Sequence, residues 1–280
     1  MHVRRCRDAD ELYRRAERFL LAHEAHHNVI FGICAGLSQS SATGPQEPYL
    51  AAVERAGEVV AVALMTPPRD LVLSLVAAPG ALALLADDLH AQHPTLPGVV
   101  GPVPVSRDFA ARWRARSGQR YRPGGVHRGY QLDAAPAAPA VPGELRPATA
   151  ADRGVVGAWL AALNRELGDD EDRLAARLAE AESPTATNGL YLWHDGQPVS
   201  MAGYSGPTPN GIRVGSVYTP PELRGKGYAR ACVAALSRHL LAGGRRYCFL
   251  STDLRNPITN HLYQSVGYRP VYDVEEYRFR

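Results

Sequence analysis

Cysteines and long apolar runs are scarce in this 280-residue chain. The four cysteines have no paired spacing that would indicate a disulfide framework or a zinc site. They are Cys6, Cys34, Cys232 and Cys248. The most apolar segment, Leu71 to Ala86, is interrupted by Pro79 and Gly80 and is shorter than the roughly 20 residues that a membrane span requires. These absences predict a reduced, cytoplasmic protein with no metal and no membrane partner.

The chain also lacks an excess of one charge. Its 31 basic and 28 acidic residues give a net charge of +3, which is too balanced to indicate binding of nucleic acid or of an anionic membrane. The start, Met1 to Arg5, is followed by a charged helical pattern and not by an apolar run, so no secretory signal is expected. A length of 280 residues suits two domains of about 140 residues, each able to bury its own core.

A proline- and alanine-rich segment marks the predicted domain boundary. Residues 134–142 read Ala-Ala-Pro-Ala-Ala-Pro-Ala-Val-Pro, a composition typical of a semi-rigid spacer. We therefore predict a first domain over residues 1–133, a linker over 134–143 and a second domain over 144–280. Helical and strand patterns follow one another in both halves, which indicates an α/β (α+β) fold.

A basic, glycine-containing segment lies between a predicted strand, Ile212 to Tyr218, and a predicted helix, Tyr228 to Leu241. Its two glycines allow the backbone to come close to a ligand, and the first N–H groups of the helix form an anion site. A solvated turn is the alternative interpretation of an isolated pair of glycines. The segment reads Arg224-Gly225-Lys226-Gly227-Tyr228-Ala229, with Arg230 as a further cation.

Two common nucleotide-binding motifs are excluded for this segment. A Rossmann fingerprint needs a third glycine and an acidic residue after the next strand to hold a ribose, and neither is present. A P-loop needs Gly-Lys-Ser or Gly-Lys-Thr after its first glycine, which is also missing. The segment therefore predicts a pyrophosphate site of another kind.

The order of motifs in the second half resembles the GNAT superfamily of acyl-CoA-dependent N-acetyltransferases. The Arg-x-x-Gly-x-Ala segment is followed by a strand that ends near Asp253, an Asn at the next helix start, Leu262-Tyr263, and Gly267-Tyr268 before a closing strand. The resemblance covers residues 144–280. It implies a mixed, mostly antiparallel twisted sheet flanked by helices.

The first half repeats the same predicted order of helices and strands. It resembles a second GNAT-like domain, so that the chain would be a tandem form. In place of the basic segment it has Ala77-Ala78-Pro79-Gly80-Ala81, which contains no cation and in which Pro79 lacks a backbone donor. We expect this half to be degenerate and not to bind CoA.

The resemblance implies the roles of individual residues in the second half. Backbone N–H groups of the basic segment would hold the pyrophosphate of acetyl-CoA, with Arg224 and Arg230 beside them. Val217 and Thr219 would bind the pantetheine arm, and the Val217 N–H, freed by a bulge, would polarise the thioester carbonyl. Tyr263 would be the general acid for the CoA thiolate. The backbone N–H groups that would hold the pyrophosphate are those of Gly225, Lys226, Gly227, Tyr228 and Ala229.

Two asparagines complete the predicted cofactor site. Asn256 and Asn260 are one helical turn apart and can face the pantetheine arm from one side. The structural alternatives are that Asn256 only caps the helix before Pro257 and that Tyr263 is a core residue.

For the general base and for the acceptor site, the sequence offers several candidate residues. Candidate bases are Glu166, Glu182, Glu222 and His194, each of which is also compatible with a solvated surface position. Tyr204, Ser216 and Tyr218 are candidates for the acceptor cleft, because alternate residues of a strand share a face. The histidines of the first half, His23, His26 and His27, are interpreted as a solvated helix face and not as metal ligands.

We therefore predict transfer of an acetyl group from acetyl-CoA to a primary amine, by a monomer or a homodimer. The alternative is a regulatory module that binds acyl-CoA without turnover. An amino acid, a polyamine, an aminoglycoside, a small thiol-linked amine and a protein terminus all remain open as acceptors.

Overall fold

The computed structural model describes residues 1–39, 47–169, 171–182, 185 and 188–280. Its contacts divide into two compact units, and neither is a single stretch of chain. Unit 1 consists of Met1–Gly129, Ser251–Pro257 and Pro270–Arg280. Unit 2 consists of Tyr130–Leu250 and Ile258–Arg269.

Unit 1 is built on an antiparallel sheet with one parallel pair. The strands follow the order β1-β2-β3-β4-β5-β12, and the parallel pair is β4 with β5. The elements are β1 His2–Arg5, α1 Ala9–Leu21, α2 Glu24–Gln39, β2 Tyr49–Arg55, β3 Glu58–Met65, β4 Leu71–Leu73, α3 Ala81–His90, β5 Gly98–Pro102, α4 Val103–Ser117, the first part of β6 Tyr121–Leu132, and most of β12 Arg269–Phe279.

The first helix of unit 1 is shorter than predicted. Asp8 caps it by accepting a hydrogen bond of 2.7 Å from the Glu11 N–H, and its apolar face is buried. The sequence predicted one helix from Ala9 to Ala25, whereas α1 ends at Leu21 and α2 begins at Glu24. The break allows α2 to bury an apolar face of its own that includes Ile30 and Phe31.

The core on the other face of the unit 1 sheet lies beneath α3 and α4. Phe109 and Trp113 of α4 are both fully buried and stack with ring centroids 6.1 Å apart. Leu85 and Leu89 of α3 belong to the same buried cluster. Unit 1 therefore has a core of its own, as the length of the chain suggested.

Unit 2 has the same kind of sheet. The strands follow the order β11-β10-β9-β8-β7, with β10 and β11 parallel, and residues of β6 lie beside β11. The elements are β7 Glu144–Pro147, α5 Arg153–Leu167, α6 Glu171–Glu182, β8 Gly189–Asp195, β9 Gln197–Ser205, β10 Gly211–Tyr218, α7 Tyr228–Ala242, β11 Tyr247–Asp253 and α8 Pro257–Val266. Short 3-10 helices cover Ala150–Asp152 and Pro221–Leu223.

The closing strand of the chain does not remain with unit 2. Strand β12 pairs antiparallel with β5 of unit 1, with Val274 opposite Pro102 and Arg278 opposite Gly98. Residues 270–280 are therefore part of unit 1, while residues 130–143 are part of unit 2. This division differs from the contiguous domains predicted as 1–133 and 144–280, because strand pairing over long sequence distances decides it.

The proline- and alanine-rich segment is anchored to unit 2 and is not a free spacer. Arg238 of α7 donates to the Pro136 carbonyl at 2.7 Å, and the Trp193 indole donates to the Pro142 carbonyl at 2.9 Å. Pro136 is buried, and Val141 packs against the unit 2 core. Proline-rich backbone keeps its carbonyl acceptors, which is why this segment can be held to unit 2 in this way.

The 3-10 turn that leads into α5, Ala150–Asp152, is held by a charged cap. Arg146 donates two hydrogen bonds to Asp152, at 2.7 and 2.8 Å, and Thr149 forms a reciprocal capping box with the same carboxylate. These hydrogen bonds, that of Arg146 first, hold the pKa of Asp152 well below its usual range. The cap fixes α5 against the edge of the unit 2 sheet.

Replacing Asp152 with alanine is expected to destabilise unit 2 by about 1–2 kcal/mol, as measured by denaturant unfolding. Because the native pKa of Asp152 is depressed, its contribution is present above the unfolded pKa of about 4 and is lost as the pH falls below it. The wild-type advantage over Asp152→Ala should therefore shrink in acid. Asp172→Ala, at an exposed position in the first turn of α6, is the control. An equal loss in both variants would contradict the role of the cap.

Among the residues that the structure describes, no helix is both long and apolar enough to cross a membrane.

Candidate functional site

Strand β10 carries a bulge at the predicted carbonyl site. Gly215 is opposite Gly203 of β9 and Tyr218 is opposite Met201, so that Ser216 and Val217 share one partner position. Ser216 has φ of 48°, a left-handed conformation that is rare for a residue other than glycine. A bulge of this kind leaves a backbone group outside the ladder.

The other edge of β10 separates from its neighbour. The parallel pairing with β11 runs only from Gly211 opposite Tyr247 to Arg213 opposite Phe249. The residues of β10 beyond Arg213 therefore have no paired partner in β11. The Val217 amide lies in the part of β10 that is bulged on one edge and separated from β11 on the other.

The basic segment connects β10 to α7 with two glycines in the left-handed region. Gly225 has φ of 78°, and Gly227, the N-cap of α7, has φ of 84°. No described side chain caps this helix. A Cβ on Gly225 would meet no atom within 4 Å. The backbone N–H groups of Lys226, Tyr228 and Ala229 thus belong to an uncapped helix start, which is the geometry of an anion site.

The cations of this segment differ in their partners. Arg224 donates to Glu166 at 2.6 Å and to the Thr219 carbonyl at 2.9 Å, so it positions the segment on α5. Arg230 donates to the Ser265 carbonyl at 3.2 Å. Lys226 is exposed and makes no ion pair with any described residue.

Thr219 and Tyr228 make hydrogen bonds within the protein. The Thr219 hydroxyl is 2.8 Å from the Ser200 hydroxyl, and Thr219 is buried. The Tyr228 hydroxyl donates to Asp195 at 2.9 Å, and this hydrogen bond raises the pKa of Tyr228. The side chains of both residues hold the segment in place, and the backbone of Tyr228 remains the predicted donor.

Tyr263 of α8 is buried in the main apolar cluster of unit 2, against which Val217 and Tyr228 also pack. The centroid of its ring is 6.3 Å from that of Tyr130 and 6.2 Å from that of Tyr268. Within the described part of the chain, its hydroxyl makes no hydrogen bond. Burial raises the pKa of Tyr263 to about 12. The side chain is therefore protonated at neutral pH.

The two predicted asparagines have different surroundings. Asn260, in unit 2, accepts a hydrogen bond of 2.6 Å from the Tyr130 hydroxyl. Asn256, in unit 1, is exposed and donates its backbone N–H to the Asp253 carbonyl at 3.0 Å. Asn256 precedes Pro257, the first residue of α8, as the capping interpretation requires.

Two of the candidate bases are engaged in ion pairs. Glu166 pairs with Arg224, and Glu182 pairs with Arg153 at 3.5 Å. Glu222 is exposed in a 3-10 helix before the basic segment. His194 lies near the end of β8, with its backbone opposite Glu144. None of these four side chains lines the pocket beside the bulge.

A small pocket lies beside the bulge of β10. It brings together Tyr204 and Ser216, two of the predicted acceptor residues. The third, Tyr218, is buried against Trp159 of α5 instead. Arg177 of α6 also lines this pocket and was missed by the sequence analysis. The polar face of an amphipathic helix offers no local signal that separates one arginine from the others.

The histidines of α2 are not a solvated face. His27 is 1% exposed, and its Nδ1 is 2.9 Å from the Leu20 carbonyl while its Nε2 accepts from the Leu75 N–H at 3.1 Å. Burial lowers the pKa of His27 to about 4, so it is a neutral core residue. His26 stacks on Tyr272. The described residues contain no group of three or more side chains suited to a metal ion.

The corresponding segment of unit 1 has different chemistry. Helix α3 also begins after a left-handed glycine, Gly80, with φ of 85°. The Ala77 N–H before it donates to the Val60 carbonyl at 2.8 Å, and Pro79 has no N–H. The Met1 side chain lies 3.3 Å from where a Cβ on Gly80 would be. Unit 1 thus keeps the turn and an uncapped helix start, but the segment before that helix carries no cation and has a proline where unit 2 has a donor.

The chain is similar to known GNAT proteins, in sequence over one segment and in fold over its whole length. Residues 156–268 match the model of the Acetyltransferase (GNAT) family. A tandem GNAT protein from the clavulanic acid biosynthesis pathway is 17% identical, with a TM-score of 0.59, over 100% of this chain and 98% of that chain. A GCN5-related N-acetyltransferase from Sphaerobacter thermophilus is 19% identical, with a TM-score of 0.62, over 99% of this chain and 94% of that chain. A Drosophila protein is 15% identical, with a TM-score of 0.70, over 99% of this chain and 98% of that chain.

No curated protein matches the chain. The similar structures define the fold as that of a tandem GNAT protein, a mixed α/β fold with a mostly antiparallel sheet. The predicted fold class is confirmed. Residues 156–268 are identified as an acetyltransferase (GNAT) domain, in the part of the chain where the basic segment and the motifs after it predicted one.

Proposed function

We propose that the chain transfers an acetyl group from acetyl-CoA to a primary amine in unit 2. The proposal is carried by the bulge at Ser216 and Val217, which lies between a separated strand edge and the uncapped start of α7. The bulge would leave the Val217 amide outside the ladder, on the same strand–turn–helix unit as the anion site.

The basic segment fits the pyrophosphate of acetyl-CoA. The space beside Gly225 is open, and the left-handed glycines direct successive N–H groups toward one region. Gly225, Lys226, Gly227, Tyr228 and Ala229 would donate from the backbone, with Lys226 and Arg230 supplying charge. Arg224 would hold the basic segment in place and would not bind the phosphate itself, since its guanidinium donates to Glu166 and to the Thr219 carbonyl.

Bound acetyl-CoA supplies an activated acyl group. The Val217 N–H would donate to its carbonyl oxygen and stabilise the negative charge that develops during attack by the amine. Asn260, held by Tyr130, would contact the pantetheine arm. Thr219 would contribute through its backbone, because its hydroxyl bonds to Ser200.

Tyr263 would donate the proton that the departing thiolate needs. Its hydroxyl bonds to no described group, and its raised pKa keeps it protonated at neutral pH. The proton of the attacking ammonium would leave through water, because Glu166 and Glu182 are paired with arginines.

The ion pairs of these two glutamates also favour the alternative, a module that binds acyl-CoA without turnover. Release of free CoA in the presence of a panel of primary amines, measured with a thiol reagent, separates the two. Amine-dependent release supports the transferase. Tight binding of acetyl-CoA by calorimetry without release from any amine would support the module.

A titration of the intact chain with acetyl-CoA is expected to saturate at one equivalent. The Ala77 to Ala81 segment of unit 1 carries no cation, its Ala77 amide is engaged and Pro79 has no donor, so we expect this turn not to hold a second pyrophosphate. Isothermal calorimetry gives the stoichiometry directly. Two equivalents of similar affinity would contradict the expectation that unit 1 is degenerate.

A further inference from the structure

Arg177 is an oriented cation at the wall of the pocket beside the bulge. Its side chain is only 16% exposed. One terminal nitrogen donates to the Asn164 side chain at 2.5 Å, and the other donates to Asp169 at 2.6 Å. A guanidinium has five N–H donors, so three remain after these two contacts.

Among the described residues, the rest of the pocket wall carries no negative charge. Its described lining is made of small, apolar or hydroxyl-bearing residues besides Arg177, and no carboxylate is among them. The Tyr204 hydroxyl donates to the Thr185 carbonyl at 3.0 Å. The guanidinium is therefore the strongest recognition group that faces the space beside the bulge.

We propose that the acceptor amine carries a carboxylate and that Arg177 binds this carboxylate. The inference rests on the proposed function, since it assigns the amine end of the acceptor to the bulge at Val217. The planar donor fork of arginine matches a carboxylate, and Asp169 and Asn164 fix the fork before the ligand arrives. The acceptor is thus a small amino acid, in contrast to a polyamine or an aminoglycoside.

Gly215 leaves one wall of this pocket open. It lines the same pocket, and a Cβ added to it would meet no atom within 4 Å. An alanine there would extend into the pocket without contacting the protein. Gly215→Ala therefore tests whether the acceptor occupies this pocket, without changing the charge of the pocket.

The first experiment compares acceptors that have the same shape but differ in whether they carry a negative carboxylate. Glycine, β-alanine and 4-aminobutyrate are each paired with the corresponding amide, and kcat/KM is measured for both. The wild-type chain is expected to prefer the acid of at least one pair by about 10- to 100-fold, the range of a charge-assisted hydrogen bond. Arg177→Gln should remove this preference. Equal use of acids and amides by the wild-type chain would overturn the proposal.

Two further variants separate ligand binding from structural support. If Arg177 only stabilises α6 through its ion pair, Asp169→Asn should lose the preference as Arg177→Gln does. If Arg177 binds the ligand, Asp169→Asn should retain a preference for the acid, weakened only by the loss of one orienting contact. Arg153→Gln, which breaks an exposed pair with Glu182, is the matched control and should keep it too. Thermal unfolding of each variant checks that it is folded.

A binding measurement keeps this inference distinct from the proposed transfer. Calorimetry with CoA present compares N-acetyl-β-alanine with its amide, in the wild-type chain, Arg177→Gln and Gly215→Ala. Tighter binding of the acid that depends on Arg177 and is weakened by Gly215→Ala supports the carboxylate site, even where no acceptor is turned over. Turnover of amines with no difference between acid and amide would retain the transferase and overturn the role of Arg177.

Discussion

Tyr263→Phe is expected to bind acetyl-CoA as tightly as the wild-type chain and to turn over about 10²- to 10⁴-fold more slowly. The substitution removes only a hydroxyl that bonds to no described group, so the fold loses no hydrogen bond. The departing thiolate loses its proton donor. Calorimetry gives the affinity, and release of CoA with a saturating amine gives the turnover.

The pKa of Tyr263 decides the pH range of this effect. Burial raises it from 10.0 to about 12, so the hydroxyl is a donor throughout the neutral range. A raised native pKa contributes stability below pH 10, and that contribution is lost as the pH rises toward 12. The ratio of wild-type to Tyr263→Phe rates should therefore stay constant from pH 6 to pH 9.

Tyr268→Phe is the matched control for Tyr263→Phe. The Tyr268 hydroxyl is 2.8 Å from the Ser237 hydroxyl in the same buried cluster, so its removal should cost about 1 kcal/mol of stability. Turnover should be unchanged, because this hydroxyl is bonded within the core. Equal rates of Tyr263→Phe and the wild-type chain would make Tyr263 a core residue, with water as the acid.

Local patterns in the sequence predicted the elements that build the site. The basic segment, the strand before it and the helix after it follow from glycine, charge and apolar periodicity over about thirty residues. The break between α1 and α2 was missed because the apolar periodicity continues through it. The strand exchange was missed for another reason. Pairing of β12 with β5 joins residues about 170 positions apart, and no local pattern specifies such a partner.

The sequence also could not predict which polar groups the fold engages. Arg224 was predicted to lie beside a phosphate, yet its nearest anion is Glu166 of α5. Arg177 was not predicted at all, although it faces the pocket. Both outcomes depend on how helices of unit 2 pack on its sheet. Composition and spacing identify the chemistry that is available, and packing decides which atoms are left to use it.

Gly227→Ala is expected to weaken acetyl-CoA binding about a hundredfold or more, because it disturbs at least two charge-assisted backbone hydrogen bonds. Gly227 has φ of 84°, and a Cβ there would lie 3.1 Å from Val141 of the anchored proline-rich segment. The alanine would be strained in this conformation by about 1–2 kcal/mol, and the start of α7 would relax away from it. The N–H groups would then no longer converge on the pyrophosphate.

Gly80→Ala provides a control with the same backbone strain. Gly80 has φ of 85° before α3, and a Cβ there would lie 3.3 Å from the flexible end of Met1. Both variants should unfold at lower denaturant concentration than the wild-type chain by a similar amount. Only Gly227→Ala should lose affinity in calorimetry, since only the turn in unit 2 is accompanied by cations. If the two variants bound acetyl-CoA equally well, the basic segment would be a turn and not the pyrophosphate site.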